Sequence, residues 1–187
     1  MDSIDGEQYR QQKSYRWYAV YTKSRAEKKA LDELDQKGIE CYLPVKTVKR
    51  TWGRISRTVE IPLISCYLFV RVSHKEYYDV LVASGILRYV CFNGKPAVIP
   101  DIQIDHLKIF MKKENEKVEV TSEHIGKGDL IRVVEGPLRD VEAEVVEVRG
   151  KRKLVLRFRT LGCNVHVDVG ANRVEVLHKS EKKALFV

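Results

Sequence analysis

The chain has 187 residues, of which 44% are hydrophobic and 32% charged, a balance that is typical of a globular protein and excludes a disordered one. Its 34 lysine and arginine residues outnumber 26 aspartate and glutamate residues, and the net charge of +8 favours a polyanionic partner such as nucleic acid or the ribosome. No apolar run is long enough to cross a bilayer and no secretory signal opens the chain, so we expect a cytoplasmic protein with no membrane partner.

The first predicted elements are a strand and a helix. Residues 1–15 are polar, and we expect them to form a disordered tail. The next segment, WYAVYT, mixes aromatic and β-branched residues and predicts a strand. A helix is predicted over residues 23–38, with Ser24 as its N-cap, Glu27 completing a capping box and Gly38 at the C′ position.

Two long strands are expected next. They cover residues 39–52 and 56–72 and are joined near Gly53. The second ends in CYLFVRV, an almost unbroken apolar run that is typical of a strand buried on both faces. Residues 74–84 predict a short helix.

A hairpin and a helix complete this region. Asn93 and Gly94 separate the predicted strands 86–92 and 95–99, and this pair of residues favours a tight hairpin turn. Pro100 then introduces a helix. The apolar positions of that helix are Ile104, Leu107, Ile109 and Phe110. Strands alternating with helices predict an α+β or α/β domain over residues 16–111.

The second half of the chain is rich in strands. Residues 112–125 are charged and aperiodic, and we expect a linker there. Residues 126–178 predict five short strands forming a small β-barrel, and residues 179–187 a tail. The turns of the barrel are expected at Gly136-Pro137, Gly150-Lys151 and Gly170.

No motif for catalysis, a metal or a cofactor is present, so we predict that the protein is not an enzyme and has no cofactor. The cysteines form no closely spaced pair, and each lies in an apolar, strand-like stretch. We therefore interpret all four, Cys41, Cys66, Cys91 and Cys163, as reduced structural thiols.

The order of the motifs resembles the NusG family of transcription elongation factors. The motifs are WYAV at 17–20, PL at 62–63 with YLFV at 67–70, and GD at 128–129 with GP at 136–137. The resemblance covers residues 17–177 and implies an N-terminal NusG domain, an antiparallel sheet with helices in an α/β sandwich. It also implies a C-terminal KOW domain, a small SH3-like β-barrel.

The chain is more similar to specialised paralogues of the RfaH and UpxY types than to the housekeeping factor. The housekeeping KOW motif has Phe and Gly where this chain has Leu138 and Ala143, and Phe-Gly-Arg where it has residues 161–163. The segment PLISCYLFV also resembles the specialised types. The resemblance thus implies an operon-specific antiterminator.

The family docks its N-terminal domain on the clamp helices of the largest RNA polymerase subunit through an apolar patch. The positions of this chain that match it are Tyr21, Leu63, Ile64, Tyr67 and Phe69. Aromatic anchors in a desolvated centre suit such an interface. The alternative is that Tyr67 and Phe69 belong to the ordinary core, because Leu68 and Val70 face the other way.

Two basic clusters are candidates for the non-template DNA strand or nascent RNA. One follows the first strand and consists of Lys23, Arg25, Lys28 and Lys29. The other lies on the first hairpin and consists of Lys46, Lys49, Arg50, Trp52, Arg54 and Arg57. A helix N-terminus favours phosphate, and an indole stacks on unpaired bases. The alternative for both clusters is a solvated charged face.

The C-terminal domain carries a third candidate surface. By resemblance, Leu161, Cys163 and Val165 would contact the ribosome or Rho. A further basic group is more simply explained as a solvated barrel face and consists of Arg149, Lys151, Arg152, Lys153, Arg157 and Arg159.

The sequence leaves two functions open. The first is a monomeric elongation factor that binds RNA polymerase and promotes antitermination. The second is a ribosome-associated or RNA-binding KOW protein without polymerase contact. RfaH relatives can also refold the KOW domain into helices, but the β-branched residues of this chain favour the barrel.

Overall fold

The structure is a computed structural model that describes residues 14–53, 55–114, 117–122, 128–136, 138–148, 151–168 and 173–178. The chain divides into two compact units. The N-terminal unit comprises residues 1–45 and 49–104, and the C-terminal unit comprises residues 46–48 and 105–187. The domain boundaries expected from the sequence stay a prediction.

A five-stranded antiparallel sheet forms the centre of the N-terminal unit. Its central strand, β1 (Arg16–Thr22), pairs with three others and so holds the sheet together. The five strands are β1, β2 (Glu40–Tyr42), β5 (Tyr67–Val72), β6 (Ile86–Tyr89) and β9 (Val98–Ile99), with β2 pairing to β5.

Two helices, α1 (Glu27–Gln36) and α2 (Tyr77–Leu81), pack on one face of this sheet. Val20 of β1 and Leu68 of β5 share a buried cluster with Leu34 of α1 and Val80 of α2. Phe69 points to the opposite face and is also fully buried. The prediction that CYLFVRV is a strand buried on both faces is therefore confirmed.

The predicted start of α1 is wrong. Its N-cap is Ala26 rather than Ser24, and no side chain caps it. Arg25 adopts a left-handed backbone with φ of 61°, which interrupts the helical path, and the carboxylate of Glu27 binds elsewhere. The predicted end is confirmed, because Gly38 follows the C-cap with φ of 75°.

The two long predicted strands are each broken once. Residues 39–52 form β2 and β3 (Val45–Trp52), and the break falls at Pro44, whose carbonyl accepts a hydrogen bond from the backbone N–H of Leu63. Residues 56–72 form β4 (Ile55–Pro62) and β5, with a turn between them. β3 and β4 pair as a separate two-stranded ribbon, so the turn expected near Gly53 is confirmed.

The hairpin expected at Asn93 and Gly94 is confirmed. It joins β7 (Cys91–Phe92) to β8 (Lys95–Pro96), and both turn residues have positive φ. The helix expected after Pro100 is α3 (Asp101–Glu114). The helix expected over 74–84 is shorter than predicted, because only the five residues of α2 are helical and turns flank them.

The C-terminal unit is a six-stranded antiparallel sheet. Its spatial order is β10-β14-β13-β12-β11-β15, where the strands are β10 (Glu119–Thr121), β11 (Asp129–Glu135), β12 (Glu142–Val148), β13 (Lys151–Phe158), β14 (Cys163–Asp168) and β15 (Arg173–His178). β10 lies in the segment expected as a linker. Its pairing to β14 and the burial of Val118 just before it explain why residues 119–121 belong to the sheet. The α+β class predicted from the sequence is confirmed.

Three residues join the beginning of β11 to the middle of the sheet. Arg157 binds Glu144 with two hydrogen bonds of 2.8 Å, and the same carboxylate accepts the backbone N–H of Gly128 at 3.1 Å. A Cβ at Gly128 would collide with the carbonyl oxygen of Val145 and the side chain of Val146. Only glycine therefore fits before β11 without displacing β12.

His106 of α3 connects that helix to the sheet of the C-terminal unit. Its ring is buried, and Nε2 accepts the backbone N–H of Glu142 at 3.4 Å. Burial lowers the pKa of His106 below the ordinary value of 6.5, although the charges of Glu142 and Asp105 oppose this shift.

We expect the free energy of unfolding to decrease as the pH falls from above 6.5 through the lowered pKa of His106. In that window the unfolded chain binds a proton that the folded chain excludes, so stability is retained above 6.5 and lost below. The His106→Gln variant should lose this part of the pH dependence in urea unfolding, whereas the exposed His178→Gln variant should keep it. Identical pH profiles for the native chain and His106→Gln would contradict the assignment.

Candidate binding surfaces

Tyr67, Tyr21 and Arg88 form a row across three adjacent strands, which we call the tyrosine row. Tyr21 of β1 pairs in register with Tyr67 of β5 on one side and with Arg88 of β6 on the other. The two rings meet edge to face with centroids 4.8 Å apart. The guanidinium carbon of Arg88 lies 5.8 Å from the centroid of the Tyr21 ring, a cation–π contact. The row is therefore fixed by the strand register.

The structure separates the five predicted polymerase-binding residues by exposure. Tyr21 and Tyr67 are partly exposed, whereas Leu63, Ile64 and Phe69 are buried, Phe69 completely. Tyr21, Tyr67 and Phe69 share one face of the sheet, as the alternation of strand residues requires. Only the two tyrosines present side-chain surface to a partner. The sequence did not predict Arg88 as part of this surface. The one sequence feature that could have indicated it is a basic residue within the strand ILRY.

The turn that carries Leu63 and Ile64 is anchored by a buried carboxylate. Glu27 is 4% exposed, and its Oε1 accepts the backbone N–H of Cys66 at 2.7 Å. The carbonyl of Cys66 accepts the backbone N–H of Thr22 at 2.9 Å. Cys66 has a left-handed φ of 64°, which these two bonds hold in place.

The basic hairpin is only partly assembled as predicted. Lys49, Arg50 and Arg57 are exposed on the ribbon of β3 and β4. Arg54 and the side chain of Trp52 lie outside the described residues. Lys46 is half-buried and belongs to the C-terminal unit. There the hydrogen bond from Lys153 lowers the pKa of Glu119, and the charge of Lys46 adds a smaller contribution in the same direction.

The second basic cluster lies at the start of α1. Lys23, Arg25, Lys28 and Lys29 are all exposed. Lys28 Nζ lies 3.6 Å from a carboxylate oxygen of Glu60 on β4, so this cluster borders the ribbon within the N-terminal unit. An exposed pair of this kind contributes little stability, and both groups remain accessible.

The third predicted surface is largely interior. Cys163 and Val165 are buried, and burial raises the pKa of the Cys163 thiol to about 11. Leu161 is half-buried at the end of a 3-10 turn that Gly162 closes with φ of 64°. Leu161 is thus the one member of this trio with appreciable exposed surface.

The basic residues of the C-terminal unit are not a single patch. Lys153 lies 2.6 Å from Glu119, and Arg157 forms the bidentate pair with Glu144. Lys151, Arg152 and Arg159 are exposed, and Arg149 lies outside the described residues. Two of the six predicted cations are therefore occupied by internal ion pairs.

The four cysteines are free thiols, as predicted, but they do not share one environment. Cys163 is buried and Cys41 half-buried, and desolvation raises the pKa of Cys41 to about 12. Cys91 is exposed, and Cys66 lies in a turn. The expectation that all four lie in buried strands is wrong, because the short hairpin strand β7 leaves Cys91 uncovered.

Within the described part of the chain, no three metal-ligating side chains come together. None of its helices has the length and apolar character needed to span a membrane.

The sequence matches known proteins over most of its length. Residues 15–108 match the family model described as transcription termination factor nusG. The chain is 26% identical over 172 residues to the transcription termination/antitermination protein NusG of Helicobacter pylori, covering 85% of this chain and 97% of that protein. It is also 26% identical over 122 residues to the transcription elongation factor Spt5 of Acidianus ambivalens, covering 56% of this chain and 77% of that protein.

One solved structure that is similar to this chain is described as "Domain interaction in Thermotoga maritima NusG". It is 18% identical to this chain, with a TM-score of 0.43, and the match covers 88% of this chain and 94% of that one.

We expect Glu27→Ala to destabilise the N-terminal unit by about 1–3 kcal/mol, because it leaves the partly buried N–H of Cys66 without its acceptor, the buried carboxylate of Glu27. The matched control is Glu33→Ala on the same helix. Glu33 also accepts a backbone N–H, that of Ser84 at 2.8 Å, but in an exposed position, and it should cost clearly less. Urea unfolding of both variants measures the difference. Equal losses of unfolding free energy in the two variants would show that the bond from Glu27 to Cys66 stabilises the unit no more than the exposed bond from Glu33 does.

Proposed function

This chain belongs to the NusG family of transcription factors, and from that membership we propose that it binds RNA polymerase and promotes processive elongation as an operon-specific antiterminator. The relatives bear the names of transcription elongation, termination and antitermination factors rather than of enzymes. The N-terminal unit, which contains most of the residues matched by the family model, supplies the proposed polymerase contact.

The observation that carries the proposal is the tyrosine row. Tyrosine and arginine are the side chains that most often dominate interface energy, and Tyr21, Tyr67 and Arg88 lie side by side on one sheet face. Their mutual contacts fix the side chains before binding, which lowers the entropy lost on docking. The occupant of this row is proposed to be the clamp helices of the largest polymerase subunit. Phe69 lies on the same sheet face two residues along β5, but it is fully buried and offers no surface to the partner.

The proposed mechanism requires preference for one polymerase conformation. A bound factor disfavours pausing only by the difference between its affinities for the elongating and paused states. Contacts to the clamp from the tyrosine row, and to the DNA of the bubble from the basic residues of the N-terminal unit, would both favour the closed, elongating state. The exposed cations proposed for that second contact are Lys23, Arg25, Lys28, Lys29, Lys49, Arg50 and Arg57.

Specialisation for selected operons is supported by the C-terminal unit. Leu138, in the turn before β12, and Ala143 of β12 stand where the housekeeping pattern has Phe and Gly, and both are buried. We infer that the packing at these two positions differs from that of the housekeeping pattern, because Leu138 replaces an aromatic ring and Ala143 adds a methyl group. We propose that the exposed edge near Leu161 is the remaining candidate for contact with the ribosome or Rho.

We expect Tyr21→Ala combined with Tyr67→Ala to weaken binding to core RNA polymerase by about 30-fold or more, as loss of an interface hot spot does. Surface plasmon resonance with immobilised polymerase measures the affinity. Phe92→Ala, which removes a more exposed aromatic ring elsewhere in the same unit, should bind as the native chain does.

Unchanged polymerase affinity of the tyrosine double variant, with native circular dichroism, would exclude the row as the docking surface. Retention of the native chain on ribosomes but not on polymerase would instead favour the ribosome-associated alternative.

We expect Arg50→Glu combined with Arg57→Glu to weaken binding to single-stranded DNA and to reduce the salt dependence of that binding by about one unit of log–log slope per lost phosphate contact. Polymerase docking should persist. The matched control, Lys112→Glu with Arg139→Glu, makes the same change of net charge at exposed positions of the C-terminal unit. Equal weakening by both pairs would mean that overall charge, rather than the hairpin, governs the interaction.

A further inference from the structure

A cleft of about 580 Å³ opens in the N-terminal unit at the first residue of β1, and none of its lining residues belongs to the surfaces described above. Arg16 and Tyr18 of β1 line one side, and Tyr77 and Tyr78 of α2 line another. The remaining wall consists of Ser14, Ser73, His74, Lys95 and Pro96. Four separate segments of the chain therefore contribute to it, and its lining combines aromatic rings with basic side chains.

The aromatic side of the cleft is rigid. The ring of Tyr77 stacks on that of Tyr89 with centroids 4.2 Å apart, and the Tyr89 hydroxyl donates to the Tyr77 carbonyl at 3.0 Å. Tyr18 meets Tyr89 edge to face at 5.7 Å. Tyr78 in turn meets Tyr77 edge to face at 5.4 Å. A buried tyrosine thus supports a chain of rings that ends at the surface.

Tyr78 itself has no role in the core. It is 69% exposed although it is a large aromatic residue, and its ring is braced by Tyr77 rather than covered. A braced and exposed ring provides a flat surface on which another planar group can stack with little further loss of entropy.

The charges of the cleft favour an anion. Arg16 and Lys95 are both exposed, and neither forms an ion pair with any residue that the structure describes. No acid is among the lining residues, and Glu76, which precedes Tyr77, is already engaged, because it accepts hydrogen bonds from the Ser73 hydroxyl at 2.8 Å and from the Tyr15 hydroxyl at 3.0 Å. A ligand that offers a planar ring and negative charge fits both parts of the lining.

We propose that this cleft binds single-stranded nucleic acid, with an unpaired base stacked on Tyr78 and the flanking phosphates held by Arg16 and Lys95. Stacking on aromatic rings together with cations that follow the backbone is the general mode of single-strand binding. The cleft and the tyrosine row lie towards opposite ends of β1. At about 3.4 Å per residue, Arg16 and Tyr21 are roughly 17 Å apart. None of the lining residues lies on β3 or β4, so this contact is additional to the DNA contact proposed for the hairpin.

The test uses the full chain, without polymerase, and fluorescein-labelled oligothymidine and oligouridine followed by fluorescence anisotropy. Tyr78→Ala should weaken binding about 5- to 100-fold, the range for one lost base stack. Tyr78→Phe keeps the ring and should bind as the native chain does. Phe92→Ala, which removes a 66% exposed ring outside the cleft, should also leave affinity unchanged.

The charged part of the cleft has its own readout. Arg16→Gln with Lys95→Gln should reduce the salt dependence of binding by up to about two units of log–log slope. The same reduction of the salt slope should appear when these two changes are added to the Arg50→Glu, Arg57→Glu variant, because the cleft and the hairpin are separate sites. The relative losses with oligothymidine and oligouridine distinguish a DNA strand from an RNA strand as the ligand.

Native affinity of Tyr78→Ala for both oligonucleotides would overturn the proposal. An equal loss of affinity for a blunt duplex on Tyr78→Ala would also overturn it, since the paired bases inside a duplex cannot stack on an external ring. A chain that begins at residue 14 tests whether residues 1–13 are the occupant instead. If Tyr78→Ala lowers the oligonucleotide affinity of the shortened chain and of the full chain by the same factor, the proposal stands. If Tyr78→Ala changes the affinity of neither chain, the proposal fails.

Discussion

The pairing of β1 with three other strands is the constraint on which the N-terminal unit depends. Because side chains alternate along a strand, one face of β1 delivers Val20 to the helices, while the other delivers Tyr21 to the tyrosine row. The register with β5 and β6 then determines which side chains become neighbours of Tyr21. A shift of one residue would bury the row and expose the core, so the docking face and the fold cannot vary independently.

Loops at the edges of both units are fixed by carboxylates that bind backbone N–H groups. Glu27 holds the turn at Cys66, and Glu144 holds Gly128 while pairing with Arg157. In each case one acid replaces a missing ladder bond where a strand begins. Partly buried donors that are satisfied in this way favour one conformation of the chain at that point, which is what a preorganised surface requires.

Short-range patterns predicted much of this architecture. Asn93-Gly94 specifies its hairpin by turn chemistry alone. The nearly unbroken apolar run that forms β5 is a direct consequence of the burial of that strand on both faces. Contacts between distant segments could not be predicted from such short-range patterns. Ser24 and Glu27 have the spacing of a capping box, yet Glu27 binds Cys66, a residue 39 positions away. Arg88 and the tyrosine cleft likewise arise only once separate strands and α2 are brought together.

The exposed thiol of Cys91 gives this chain a built-in attachment point for chemical probes. Thiolates are the reactive form, and the raised pKa values of Cys41 and Cys163, about 12 and about 11, keep those sulfurs protonated at neutral pH. A maleimide should therefore modify Cys91 first. Its register partner is Pro96, a residue of the cleft wall, so a fluorophore on Cys91 would report occupancy next to the cleft without any engineered cysteine.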